Sequence, residues 1–148
     1  MHPIYFYRDK NGKRPLAEYL AALAQKGDKN SRIKLSKIRA YMKILSIYGT
    51  QAGEPYIKHI DGDIWELRPI RDRILFAAWY QGGFVLLHHF LKKHRKHRNV
   101  KSKQQKETLP TLWKGALIMN KNSAVGEDAI AYIESLMTPE EIAESNLR

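Results

Sequence analysis

Ile64-Trp65-Glu66-Leu67-Arg68-Pro69, then Arg73-Ile74-Leu75-Phe76-Ala77-Ala78-Trp79-Tyr80, then Gln81-Gly82-Gly83, then Phe84-Val85-Leu86-Leu87-His88-His89-Phe90-Leu91: the reading of this stretch decides the fold class. Short runs of β-branched, aromatic and aliphatic residues, cut by proline and by a glycine pair, are strands joined by tight turns. Tyr56 to Ile60, followed by Asp61-Gly62-Asp63, adds another strand in front. Upstream the period changes to that of a helix. Pro15 suits a first helical position, and Leu16, Tyr19, Leu20 and Leu23 recur at spacings of three and four until Gly27. A second helix starts near Asp28 or Asn30 and carries Ile38, Tyr41, Met42, Leu45 and Tyr48 as an apolar stripe, stopped by Gly49. Its other face holds Arg32, Lys34, Lys37, Arg39 and Lys43, which reads as a solvated surface. Ile4 to Arg8 is a first strand, closed by Asp9-Lys10-Asn11-Gly12. The expected class is α+β, with two N-terminal helices packed on one face of a small antiparallel sheet.

The chain has 148 residues, enough for one well-cored domain. Its longest apolar run, Ile74 to Tyr80, is far short of the ~20 residues of a membrane span. The first residues lack the charged-then-apolar pattern of a secretory signal, so a cytoplasmic location and no membrane partner are expected. With no cysteine there is no disulfide framework and no thiol nucleophile.

Charge sets the partner class. There are 26 Lys and Arg against 15 Asp and Glu, a net of +11, which suggests a polyanionic partner. The excess is uneven: residues 119–148 hold six acids and two bases, so the first 118 hold 24 bases and nine acids. Between Lys92 and Lys106 lie eight Lys or Arg, two His and no acid, a segment (94–118 in all) expected to be a disordered basic arm. Leu109 to Ile118 is apolar again without a clear period, whereas Ala129, Ile130, Ile133, Leu136 and Met137 have helical spacing. Thr138-Pro139-Glu140-Glu141 has capping-box spacing, so 119–148 reads as a short acidic helical tail.

No Gly-rich phosphate loop, metal-ligand spacing or serine nucleophile motif is present, and neither metal nor cofactor is expected. His94 and His97 belong to the basic arm. His88 and His89 are neighbours on a strand and should point to opposite faces. Arg68, Arg71 and Arg73 interrupt otherwise apolar strands, and with His88, His89, Lys92 and Lys93 they make a candidate site for an RNA backbone. Arginine grips phosphate bidentately, and a histidine near neutrality moves the proton of a 2′-OH or of the leaving oxygen. Cross-strand pairing of Arg68 and Arg73 with Glu66 or Asp72 is the structural alternative.

The Ile64–Pro69 segment, the Arg73-Ile74-Leu75-Phe76 strand and the Leu86–Lys93 strand end resemble, in this order, the phage-derived Gp49-like, HigB-type branch of the RelE/ParE toxins. The resemblance covers about Ile4 to Lys93. It implies a RelE-like domain over 1–93 that enters the ribosomal A site, cuts mRNA without metal, and is neutralised by a HigA-type antitoxin. Carried over by position, Arg68, Arg73 and His88 are the catalytic candidates. Lys58, Arg71, His89, Lys92 and Lys93 are the RNA contacts. His88 is the candidate base and Arg73 the stabiliser of the transition state. Glu66 stands where RelE has lysine, so that lysine's role does not transfer. The alternatives are a ParE-like gyrase poison that cuts nothing and a non-catalytic basic nucleic-acid-binding domain.

After Lys93 the family pattern breaks. Members continue with a Lys-Lys-Thr-Gln-Lys-Thr-Pro run into a final amphipathic helix, whereas this chain reads His94-Arg95-Lys96-His97-Arg98-Asn99-Val100-Lys101. Plausible codons for the segment, read one base earlier, give the family ending, which implies a frameshift near Lys93. The shifted frame would run into the next gene: Met119-Asn120-Lys121-Asn122-Ser123-Ala124 resembles an antitoxin start. Leu136 to Ile142 likewise resembles the opening helices of HigA-type antitoxins.

Overall fold

The computed structural model describes residues 2–9, 11–78, 83–92 and 125–146. Pro15 opens α1 (Pro15–Lys26), where its missing N–H would have had no helical partner. Leu16, Leu20 and Leu23 line its buried face, and Gly27 ends it at a φ of 67°, its N–H donating to the Leu23 carbonyl. Asp28 then caps α2 (Lys29–Tyr48), its carboxylate accepting the N–H and the hydroxyl of Ser31. Since only Gly27 and Asp28 separate the two helices, α2 doubles back along α1.

The described strands are β1 (Ile4–Tyr7), β2 (Ile57–Asp61), β3 (Ile64–Leu67), β4 (Asp72–Ala78), β5 (Phe84–Leu91) and β6 (Val125–Asp128). They form one sheet in the order β2-β3-β4-β5-β1-β6. The run from β2 to β5 is the antiparallel meander read from the turns. The sheet as a whole is mixed, because β1 lies parallel to β5. This corrects the expectation of an antiparallel sheet, and counting reversals explains it. The α1–α2 hairpin returns the chain to the end where β1 left off, so β2 runs against β1. Three further reversals bring β5 into the direction of β1. The Phe84 N–H donates to the Pro3 carbonyl at 2.8 Å. A Cβ on Gly83 would stand 2.6 Å from that oxygen, so only glycine admits this close approach.

Ile4, Phe6, Leu67, Ile74, Phe76 and Leu86 on one side of the sheet share a core with Leu16, Leu20, Leu35, Ile38, Met42 and Leu45 of the two helices. The acidic segment joins the same core. Its helices α3 (Ala129–Ser135) and α4 (Pro139–Asn146) follow β6, and Ala129, Ile133 and Met137 are buried among the residues just named. Thr138 and Glu141 form the capping box, with Thr138 N–H to Glu141 Oε1 at 2.8 Å and Glu141 N–H to Thr138 Oγ1 at 3.1 Å.

The basic face of α2 is not simply solvated. Arg39 is 3% exposed, and its Nε donates to Glu134 Oε2 at 2.9 Å; Arg32 Nε donates to Glu141 Oε2 at 2.9 Å. Both carboxylates come from the segment about a hundred residues downstream, which local periodicity does not register.

Leu75, Ala77, Val85, Leu87 and Ile64 form a second, smaller cluster on the other side of the sheet. Trp79, Tyr80, Gln81 and Gly82 lie outside the described residues, as do Lys93, the whole basic segment 94–118 and Met119 to Ala124. No helix among the described residues is long and apolar enough to cross a membrane.

Candidate active site

Strand alternation alone would put His88 on the side of Leu86, facing the helices. The register breaks instead: Phe76 pairs with Leu86 and Leu75 with His88, so Leu87 is an extra residue on β5. A bulge of this kind re-aims the side chains beyond it. His88 therefore stands beside Leu75 on the face opposite the helices, and His89, paired with Ile74, turns toward them. The two histidines do point apart.

On the helix side, His89 belongs to a closed network. Its Nε2 is 2.8 Å from Asp72 Oδ1, which also accepts the Tyr19 hydroxyl at 2.7 Å, and the Tyr19 and His89 rings stack with centroids 3.7 Å apart. Burial acts to raise the Asp72 pKa, but hydrogen bonds from His89 and Tyr19 outweigh it and hold the carboxyl below its usual value. Burial, and then the bond to Asp72, push the Tyr19 phenol up. This network ties α1 to the sheet.

On the other side, β3, β4 and β5 lay Glu66, Leu75 and His88 in one row across the sheet, and Lys58 of β2 extends it beyond Glu66. Two strand spacings separate Glu66 from His88, roughly 10 Å between backbones. Arg68 and Arg73 converge on the Glu66 carboxylate: Arg68 Nε is 3.4 Å and Arg73 Nε 3.8 Å from Oε1. The pairing with Glu66 foreseen as the structural alternative is therefore present. Arg73 also donates through Nη1 to the carbonyls of Ile70 and Asp72 at 2.8 and 2.9 Å, and it is 6% exposed. As it stands, Arg73 braces the turn and Glu66, whereas the half-buried Arg68 is better placed to meet a ligand. Burial, with a smaller effect from His89, lowers the His88 pKa, so its imidazole is neutral near pH 7 and able to accept a proton.

Lys58 is exposed at the start of the row. Arg71 is exposed in the β3–β4 turn, and its carbonyl accepts the Lys92 N–H at 2.7 Å, which brings the end of β5 to that turn. Of the eight candidates, Arg68, Arg73, His88 and Lys58 share one face, and Arg71 and Lys92 stand at its end. His89 faces the other way, and Lys93 lies outside the described residues. Sequence reasoning did not single out Tyr19 and Asp72 as partners of His89; the helical stripe absorbed Tyr19, and the bulge is invisible in Leu86-Leu87-His88-His89. Among the described residues no group of three or more His, Asp or Glu is arranged to hold a metal ion.

A family model described as phage derived protein Gp49-like (DUF891) matches residues 19–110, more than half of the chain. No curated protein matches it significantly.

Proposed function

The chain belongs to the Gp49-like phage-derived protein family, a family of RelE/HigB-like toxins, and from that membership we propose that it is a type II toxin acting as a ribosome-dependent mRNA endonuclease. The observation that carries the enzymatic reading is the shared face. A neutral imidazole, two guanidinium groups and a lysine stand on one side of a rigid sheet, around a carboxylate.

In this reading His88 takes the proton of the 2′-OH, which then attacks the adjacent phosphorus. Burial keeps that imidazole free of a proton of its own at neutral pH. Arg68 meets the phosphate charge that grows in the transition state, and Arg73, through Glu66 and the turn, fixes where Arg68 stands. Lys58, Arg71 and Lys92 hold neighbouring phosphates. The architecture is compatible with a RelE-like domain over 1–93 working in the cytoplasm, at the ribosomal A site.

The acidic segment fits the second half of the proposal. The Glu134–Arg39 and Glu141–Arg32 pairs seat it on the basic α2 in the manner of an acidic antitoxin segment on a basic toxin. We read 119–148 as the start of a HigA-type antitoxin, joined in cis by a frameshift near Lys93 that made 94–118. The nucleotide sequence there decides this: the family ending must be present in the neighbouring frame.

The test of function is mRNA integrity in a translating extract. Cleavage that requires ribosomes supports the reading. Intact mRNA with stalled DNA gyrase indicates the ParE-like alternative, and salt-dependent RNA binding without cleavage indicates a binding domain.

A further inference from the structure

Pro69, Ile70, Arg71 and Asp72 make the turn from β3 to β4, closed by the Asp72 N–H donating to the Pro69 carbonyl at 2.9 Å. Ile70 occupies its second position with a φ of 55°, the one positive φ at a non-glycine residue among those described. Turns with positive φ at that position take glycine, asparagine or aspartate, and a β-branched side chain is the least suited to it. The isoleucine gains no burial in return, because it is 55% exposed. Strain and exposed apolar surface coincide at one residue, and its carbonyl is pinned by Arg73 Nη1 at 2.8 Å. Such residues persist where the surroundings over-determine them, most often at ligand sites.

The neighbours state the ligand's chemistry. Arg71 follows directly, and the Lys92 N–H bond to its carbonyl brings in the end of β5, where Leu91 is 43% exposed. Two exposed aliphatic side chains therefore stand at one end of the sheet, among Arg68, Arg71 and Lys92. The one acid in the turn, Asp72, is buried and bonded to His89 and Tyr19. Apolar surface framed by cations suits the face of an unstacked base with its phosphates on either side. We infer that Ile70 and Leu91 form a subsite for a splayed nucleobase next to the scissile phosphodiester, with Arg71 and Lys92 on its flanking phosphates. This rests on the RNA-cleaving reading above and adds to it the place where a base is held.

The test measures binding of a 2′-O-methyl single-stranded RNA oligonucleotide by fluorescence anisotropy across a salt series, together with thermal unfolding. Ile70→Gly relieves the backbone, so its unfolding midpoint is expected to rise, while its affinity falls about five- to twenty-fold, the loss of one base's packing. Its salt dependence stays that of the parent chain, because no charge is removed. Arg71→Ala is expected to lose affinity and also to flatten the log–log salt slope by about 0.7, the value for one phosphate contact on a single strand. Ile70→Asn, which tolerates the same backbone, must repeat the loss. If Ile70→Gly and Ile70→Asn bind as tightly as the parent chain, the subsite is overturned while RNA binding stands. If the parent chain does not bind the oligonucleotide at all, the RNA reading fails and the subsite with it.

Discussion

His88 and His89 are one peptide bond apart, yet they belong to different regions of the molecule. His89 is enclosed with Asp72 and Tyr19 between sheet and helix, where every polar group has its partner. His88 stands on the other face, in a row with Glu66 and beside the arginines that converge on it. One extra residue, Leu87, separates the two fates. In a sheet whose one face is committed to a core, a bulge can move a titratable group from structure to chemistry without changing its type.

Breaking each side should therefore give different losses. His88→Ala is expected to lower mRNA cleavage by about two orders of magnitude or more, the usual worth of a positioned base, with the unfolding midpoint unchanged. Asp72→Ala leaves His89 and Tyr19 without their acceptor and should cost about 3 kcal/mol in urea unfolding, with cleavage per folded molecule retained. Glu134→Ala strips the carboxylate from the buried Arg39 and is expected to cost about 2 kcal/mol, a loss that reports on the seating of the acidic segment.

Acid should separate the faces again. His88 has a lowered folded pKa, so the unfolded chain takes up a proton first, and stability falls as pH drops below its ordinary 6.5. His88→Ala removes that step. Asp72 has a lowered folded pKa, and Glu141 is held at about 2 by its hydrogen bond to Arg32, so their contributions are complete above ordinary carboxylate values. They are lost only as pH falls below about 4, a second step that Asp72→Ala reduces. The smallest effect belongs to Lys58→Ala: a salt slope for RNA binding flatter by about 0.7, with stability unaltered.

Much of the fold was legible because its signals are local. Pro15, Gly27 and Asp28 punctuate the helices, and Asp61-Gly62-Asp63 and Pro69 punctuate the strands, each for a backbone reason contained in the residue itself. The parallel placement of β1 follows from counting chain reversals, but only once the helix pair is seen to be a hairpin. Arg39 was read as solvated because its partner Glu134 is 95 positions away. The cluster of Arg68, Arg73 and His88 was foreseen as a set. Arg73's brace on the turn and the facing of His89 were not, since both depend on where a bulge falls in a run of apolar residues. Ile70 gave no sequence signal at all, for its peculiarity is a dihedral angle.

The most direct measurement is a side-chain NMR titration of the folded chain with a non-cleavable 2′-O-methyl RNA trinucleotide. The imidazole resonances of His88 and the guanidinium resonances of Arg68 should shift with occupancy while those of His89 and the Tyr19 ring stay in place. Shifts at His89 and Tyr19 with His88 unmoved would contradict the assignment of the helix-free face as the site where RNA is held and cut.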